Sequence, residues 1–202
     1  MINIEGNLTV DRGCPGAQVV YLGISGVLHP SRTTYELVNH RSPWDDGHEL
    51  YEGVPVLDTA LQRWPAARIV LTSTLPWSRG LDAVLPQLGA LAERVDAFTY
   101  DDLTKRAVRT VTTRSGSTRA VTYSNEDYWR LNKSGIVAAH VEWLKPAAWV
   151  AIDDETILWP DAVVRDQLVA TDGCVGLMSP EAQDRLLTVL HANFGKRPPK
   201  SP

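Results

Sequence analysis

The sequence predicts an α/β fold, a mostly parallel sheet covered by helices on both faces. Three observations point there. Short apolar runs rich in β-branched residues recur without polar alternation, as in strands buried on both faces. Helix-period apolar stripes lie between them, and this alternation builds a parallel sheet. No period of roughly 20–50 residues repeats, which excludes solenoids and propellers.

The strands come in order. Gln18–Leu22 reads QVVYL and Arg68–Leu71 reads RIVL. Val95–Tyr100, VDAFTY, is a weaker run. Ala148–Ile152, AWVAI, and Gln167–Thr171, QLVAT, complete the set. Between them, Pro55–Trp64 carries Val56, Leu57, Ala60, Leu61 and Trp64 on one helical face. Leu81–Val95 carries a similar stripe, with Pro86 predicting a kink or a later start. Ser134–Leu144 aligns Ile136, Val137, His140, Val141 and Leu144. A last helix is predicted from Pro180 to His191, with Ser179 as N-cap and Pro180 at the first helical position.

Two stretches break the alternation. Residues 29–53 are polar and hold a WDDGHE cluster. Within residues 101–129, two Thr/Val-rich arms flank Ser115-Gly116 and predict a β-hairpin. Each is too long for a plain connection and reads as an insert over the sheet edge. Residues 1–194 are expected to form one domain, and 195–202 a flexible tail.

Composition narrows the function. The 202 residues carry 20 Lys+Arg and 24 Asp+Glu, a formal net charge of −4. That balance argues against general coating of nucleic acid. No run approaches the ~18 apolar residues of a membrane span, and the first residues show no basic-then-apolar leader, so a cytoplasmic protein is expected. Cys14 and Cys174 fit neither a metal pair nor a disulfide framework, and two reduced thiols are expected.

Ligands of parallel sheets bind at the carboxyl ends of the strands. After the first strand comes Gly23-Ile24-Ser25-Gly26-Val27-Leu28-His29-Pro30. After the second comes Thr72-Ser73-Thr74, and after the fourth Asp153-Asp154-Glu155. Asn132-Lys133-Ser134-Gly135 opens the third helix.

Together, YLGISGVLHP, RIVLTST, NKSG, WVAIDDE and LVATDGCVGLMSPEA resemble the haloacid dehalogenase (HAD) superfamily of phosphohydrolases. More narrowly they resemble small bacterial HAD-domain proteins related to the HAD module of RNA-repair proteins. The resemblance runs from about Val19 to Leu190. It implies a Rossmann-like sheet with the strand before Gly23 at the centre, beside the strand before Asp153. It also implies Mg²⁺ held by Asp153, Asp154 and the backbone carbonyl of Ser25. Phosphate would be held by Ser73 (or Thr72), Lys133 and the backbone at Gly26, and the glycines at 23 and 26 leave backbone N–H groups approachable by an anion.

The sequence departs from the family where chemistry happens. Gly23 stands where the family places its nucleophilic Asp, and Ser25 where it places the acid/base Asp. Gly has no group to attack phosphorus or bind metal. Ser25 has no pKa near neutrality with which to protonate a leaving oxygen. One carboxylate fewer also weakens Mg²⁺ affinity. The favoured reading is a pseudo-phosphatase that binds a phosphorylated small molecule, a nucleotide or a protein partner. One competing reading is a Mg²⁺-dependent phosphohydrolase or phosphotransferase with a displaced acid. Another is an interaction module using Trp-rich inserts.

Plainer roles suit several other residues. His140 lies on an apolar helical face and reads as a satisfied core histidine. His29 is expected to shape the first insert. Lys105, Arg106, Arg109, Arg114 and Arg119 read as a charged flap or as a guide for an anion. Trp64, Trp143 and Trp149 fall in core patterns. Trp44, Trp77 and Trp129 fall near the strand ends, where packing is expected over base stacking.

Overall fold

A computed structural model of the chain describes residues 16–31, 47–105, 109–112, 118–121 and 125–195. The chain begins with β1 (Gln18–Leu22), α1 (Val54–Leu61) and β2 (Arg68–Leu71). Short helices α2 (Leu75–Arg79) and α3 (Leu81–Val84) lead through a 3₁₀ segment, Leu85–Arg94, to β3 (Val95–Phe98). A single π-turn, Asp101–Lys105, precedes β4 (Arg109–Thr112) and β5 (Thr118–Val121). Next come α4 (Asn125–Arg130), α5 (Lys133–Leu144), β6 (Ala148–Asp153), α6 (Asp161–Asp166), β7 (Leu168–Ala170) and α7 (Pro180–Phe194).

The main sheet has five strands in the order β3-β2-β1-β6-β7. Every pairing in it is parallel. The chain therefore walks outward from β1 to β3, then crosses back to continue from the other side of β1. The reversal lies between β1 and β6, where such sheets open a crevice at their carboxyl edge.

Register brings the strand ends together. Leu22 pairs with Leu71 on one side and with Ile152 on the other. Gly23, Thr72 and Asp153 thus leave the sheet side by side. Two hydrogen bonds hold that edge: Gly23 N donates to Ile152 O at 2.9 Å and Thr72 N to Leu22 O at 2.9 Å.

The two-residue period of a strand splits the core between the faces. Val20, Leu22, Ile69, Leu71, Val150 and Ile152 face α1 and α7, against Leu57, Leu61, Leu186 and Leu190. Val19, Tyr21, Val70 and Ala151 face α5, against Val137 and Leu144. Both faces are covered, which is why the strands read as unbroken apolar runs.

The central strands and outer helices lie where the sequence predicts them. The segment predicted as one helix over Leu81–Val95 is different. It makes one α-turn, then 3₁₀ structure, and breaks at Gly89 (φ 53°, ψ −131°). Pro86 lacks the donor an α-helix needs, and Gly89 takes a backbone region open to glycine. Leu88 and Leu91 are still buried, so the stripe serves the core without a regular helix. The short helices α2, α4 and α6, of five or six residues, escaped prediction. None is long enough to show a periodic stripe.

β4 and β5 pair antiparallel, as the Thr/Val-rich arms predict, while Ser115-Gly116 lies outside the described residues. Most of the first insert, Trp44, Cys14 and the tail beyond Gly195 lie outside them too. Lys105 and the four arginines of the basic flap lie there in their side chains. Among the described residues no helix is long and apolar enough to cross a membrane.

Candidate functional site

The aligned strand ends open into a pocket of about 220 Å³. Gly23, Ile24 and Ser25 line it from the loop after β1, Ser73 and Thr74 from the turn after β2, Leu75 from α2, Asp153 and Asp154 from the end of β6, and Lys133 from α5. The motifs picked out in sequence therefore converge on one cavity.

Lys133 is placed by its cap. Asn132 Oδ1 accepts from Gly135 N at 2.7 Å, so the helix begins at Lys133. Its ammonium donates to Thr72 O at 3.1 Å and stands 3.8 Å from Asp153 Oδ2. Asp153 is buried, and its Oδ1 accepts from Glu155 N at 3.0 Å. Burial pushes the Asp153 carboxyl up to about 6, against the opposing pull of Lys133. A Cβ on Gly23 would lie 3.1 Å from Asp153 Oδ2 and 2.9 Å from Val27 Cγ2. The inner carboxylate and Val27 thus crowd the space where a side chain at position 23 would begin.

Asp154 is held differently. Its Oδ2 accepts from Ser31 Oγ at 3.0 Å. The same oxygen lies 2.1 Å from where a Gly26 Cβ would be and 2.9 Å from that of Gly173. Gly26 also has φ +76°, a region L side chains rarely adopt. The pair of acids after β6 therefore splits. Asp153 turns toward Gly23 and Lys133, and Asp154 is gripped by the loops after β1 and β7.

Three expectations change here. Ser73, not Thr72, offers its hydroxyl to the pocket. Ser73 Oγ accepts from Leu75 N at 3.2 Å, which leaves the hydroxyl proton for a ligand. Thr72 contributes its carbonyl to Lys133, and its buried Oγ1 has no hydrogen-bond partner among the described residues. The N–H groups of Gly23 and Gly26, expected to be approachable by an anion, are both engaged. Gly23 donates to Ile152 O, and Gly26 donates to His29 O at 2.8 Å. Gly26 backs Asp154 rather than lining the cavity.

For a metal, Asp153, Asp154 and the Ser25 carbonyl are hard oxygen donors of the kind Mg²⁺ takes. Their number is short. Among the described residues no group of three or more His, Cys, Asp or Glu side chains could hold a metal ion. Asp154 is committed to Ser31, and an ammonium faces Asp153. The set matches the metal in chemistry and falls short in count.

Neighbouring residues take structural roles. His29 is buried, and its Nδ1 accepts from Tyr51 N at 3.2 Å, which orders the return of the first insert. Burial lowers its pKa to about 4. His140 is a satisfied core histidine: Nδ1 meets Tyr21 Oη at 3.0 Å and Nε2 meets Asp102 Oδ2 at 2.8 Å. Sequence reasoning missed Asp102 and Ser31. No motif marks either, because each acts through a partner far along the chain.

No curated protein and no solved structure matches the chain. A family model does match, that of the HAD domain in Swiss Army Knife RNA repair proteins, over residues 19–182. The match begins in the central strand, ends inside the last helix and includes every residue that lines the pocket. The parallel sheet, ordered β3-β2-β1-β6-β7, is consistent with the Rossmann-like HAD fold, and the chain belongs to this HAD family.

Proposed function

We propose that this chain is a catalytically degenerate HAD protein that binds a phosphorylated ligand and does not turn it over. The observation that carries the reading is Gly23. It sits at the switch point of the sheet, faces Asp153 and Lys133, and has no side chain. In HAD chemistry a carboxylate there attacks phosphorus and forms an acyl phosphate as the P–O ester bond breaks. A second acid protonates the departing oxygen. Neither group is present at Gly23 or Ser25. Lys133 and Ser73 remain, one cation and one hydroxyl donor, and both suit phosphate oxygens.

Any Mg²⁺ would be held weakly, by Asp153, Asp154 and the Ser25 carbonyl, and would neutralise ligand charge. A cytoplasmic location suits the exposed free thiol of Cys174. The second reading is a phosphohydrolase with a displaced acid. It is favoured only by Asp153, a buried carboxylate near pKa 6 on the pocket wall.

Phosphatase assays on a panel of phosphate esters with Mg²⁺ separate the two. The chain itself should be inactive. Gly23→Asp/Ser25→Asp should gain activity, with Val27→Ala added to make room for the new side chain. Activity in the unaltered chain that Asp153→Ala abolishes would overturn the degenerate reading.

A further inference from the structure

A second cavity, of about 210 Å³, lies between the end of the first insert and the helices after β2. His29, Leu50 and Tyr51 line one side, and Leu75, Arg79 and Val84 the other. Leu75 is the one residue it shares with the strand-end pocket, and neither Lys133 nor Asp153 lines it. The two cavities are therefore neighbours with separate polar groups.

Those groups are poised for an anion. Among the described residues, no hydrogen bond or ion pair engages the Arg79 guanidinium or the Tyr51 hydroxyl. Burial raises the Tyr51 phenol against the opposing pull of Arg79, so the two lie within electrostatic reach of each other. Glu52, the acid next to Tyr51 in the chain, is already engaged. Its carboxylate meets His48 Nδ1 at 2.6 Å and accepts from Glu49 N at 3.1 Å.

Tyr51 is also held in place. Its φ is +62°, a left-handed backbone that a bulky residue rarely adopts. Its N–H donates to His29 Nδ1 at 3.2 Å, and its ring meets the buried His29 ring edge to face, centroids 5.0 Å apart. Such strain persists only where the surroundings fix it, and it gathers at ligand clamps.

Size and charge narrow the ligand. An apolar cavity of about 150 Å³ takes a benzene ring. This one has room for a ring and a small charged group. One guanidinium and one hydroxyl match a single negative charge, and the guanidinium fork fits a carboxylate through two parallel hydrogen bonds. We infer that the cavity binds a small aromatic monocarboxylate, its carboxylate on Arg79 and Tyr51 and its ring between Leu50, Leu75 and Val84. The site is independent of phosphate binding at Lys133 and Ser73.

Benzoate titrated into the full chain, followed by amide chemical shifts, tests this. The shifts should saturate and cluster at Tyr51, Arg79 and Val84, with Gly23 and Lys133 unmoved. Benzamide keeps the ring without the charge, and acetate keeps the charge without the ring. Each should bind at least about tenfold more weakly than benzoate. Arg79→Gln should weaken benzoate about tenfold and leave benzamide unchanged. Arg79 is exposed, so its replacement spares the fold. Tyr51→Phe should weaken benzoate about threefold. Inorganic phosphate in a parallel titration should move neither Arg79 nor Tyr51. Equal benzoate affinity in Arg79→Gln and the parent overturns the proposal. So do shifts centred on Gly23 and Lys133, displacement of benzoate by phosphate, and tighter binding of phenylphosphonate or benzamide than of benzoate. Absence of saturation by about 10 mM benzoate overturns it as well.

Discussion

Lys133 Nζ bridges two strand ends, donating to Thr72 O at 3.1 Å and standing 3.8 Å from Asp153 Oδ2. One cation thus ties α5 to β2 and β6 at the mouth of the sheet. Lys133→Met keeps the stem and removes the charge. It leaves a buried carboxylate without its partner and a carbonyl without its donor. The expected loss is about 2 kcal/mol at pH 7, below that of a fully buried pair because the lysine is partly exposed. Urea unfolding checks it. Unchanged stability would show that the contact contributes nothing.

Asp153→Asn should stabilise the fold at neutral pH. The folded pKa, about 6, lies above the ordinary value of 3.8. The native state therefore holds an extra proton between about pH 4 and 6, and stability falls as pH rises through that window. Above it, ionised Asp153 costs up to about 3 kcal/mol relative to its protonated form. Asparagine mimics that protonated form. Unfolding in EDTA should show the variant ahead of the parent at pH 7 and level with it near pH 4. A variant less stable than its parent at pH 7 refutes this.

His29 titrates with the opposite sign. Its folded pKa of about 4 lies below the ordinary value of 6.5. The unfolded chain takes up the proton first, so stability is full above about pH 6.5 and is lost as pH falls toward 4. The two slopes oppose each other over a shared window. In the Asp153→Asn background the acid-side loss from His29 should emerge more steeply than in the parent. Adding His29→Asn, which keeps an acceptor for Tyr51 N, should flatten it. The comparison needs only melting temperatures across pH 4 to 7.

Gly26→Ala should destabilise by roughly 2 kcal/mol or more, from backbone strain and from displacing the Asp154 carboxylate. A Cβ there would lie 2.1 Å from Asp154 Oδ2. Much of the penalty should vanish in an Asp154→Ala background, leaving the backbone part. A double-mutant cycle by chemical unfolding should give a coupling of at least about 1 kcal/mol. Strict additivity would mean that the two residues do not compete for one space.

Much of this arrangement was legible because its causes are local. Buried strands announce themselves as apolar runs, and a pocket at strand ends can be read from the residues just after each run. Read that way, Gly23, Ser73, Lys133 and Asp153 belong to one end of the sheet, and all four line the pocket there. Backbone donors were harder. Whether the N–H groups of Gly23 and Gly26 point at a ligand depends on which carbonyl reaches them first, and Ile152 and His29 do. The split of Asp153 from Asp154 was equally hidden, because Ser31 and Gly173 decide it from distant loops. The indoles of Trp77 and Trp129 were expected to pack. They do pack, against each other, and half of each stays open.

The grip on the first loop also has a history in time. Thr171 Oγ1 donates to Gly26 O at 2.7 Å across 145 residues, and Ser31 N donates to Gly173 O at 2.8 Å. Contacts of such separation form slowly, and ribosomes deliver the chain N-terminus first. The nascent loop after β1 must therefore wait, unclasped, until β7 emerges. The mouth of the sheet is opened by β1 and finished only after β7.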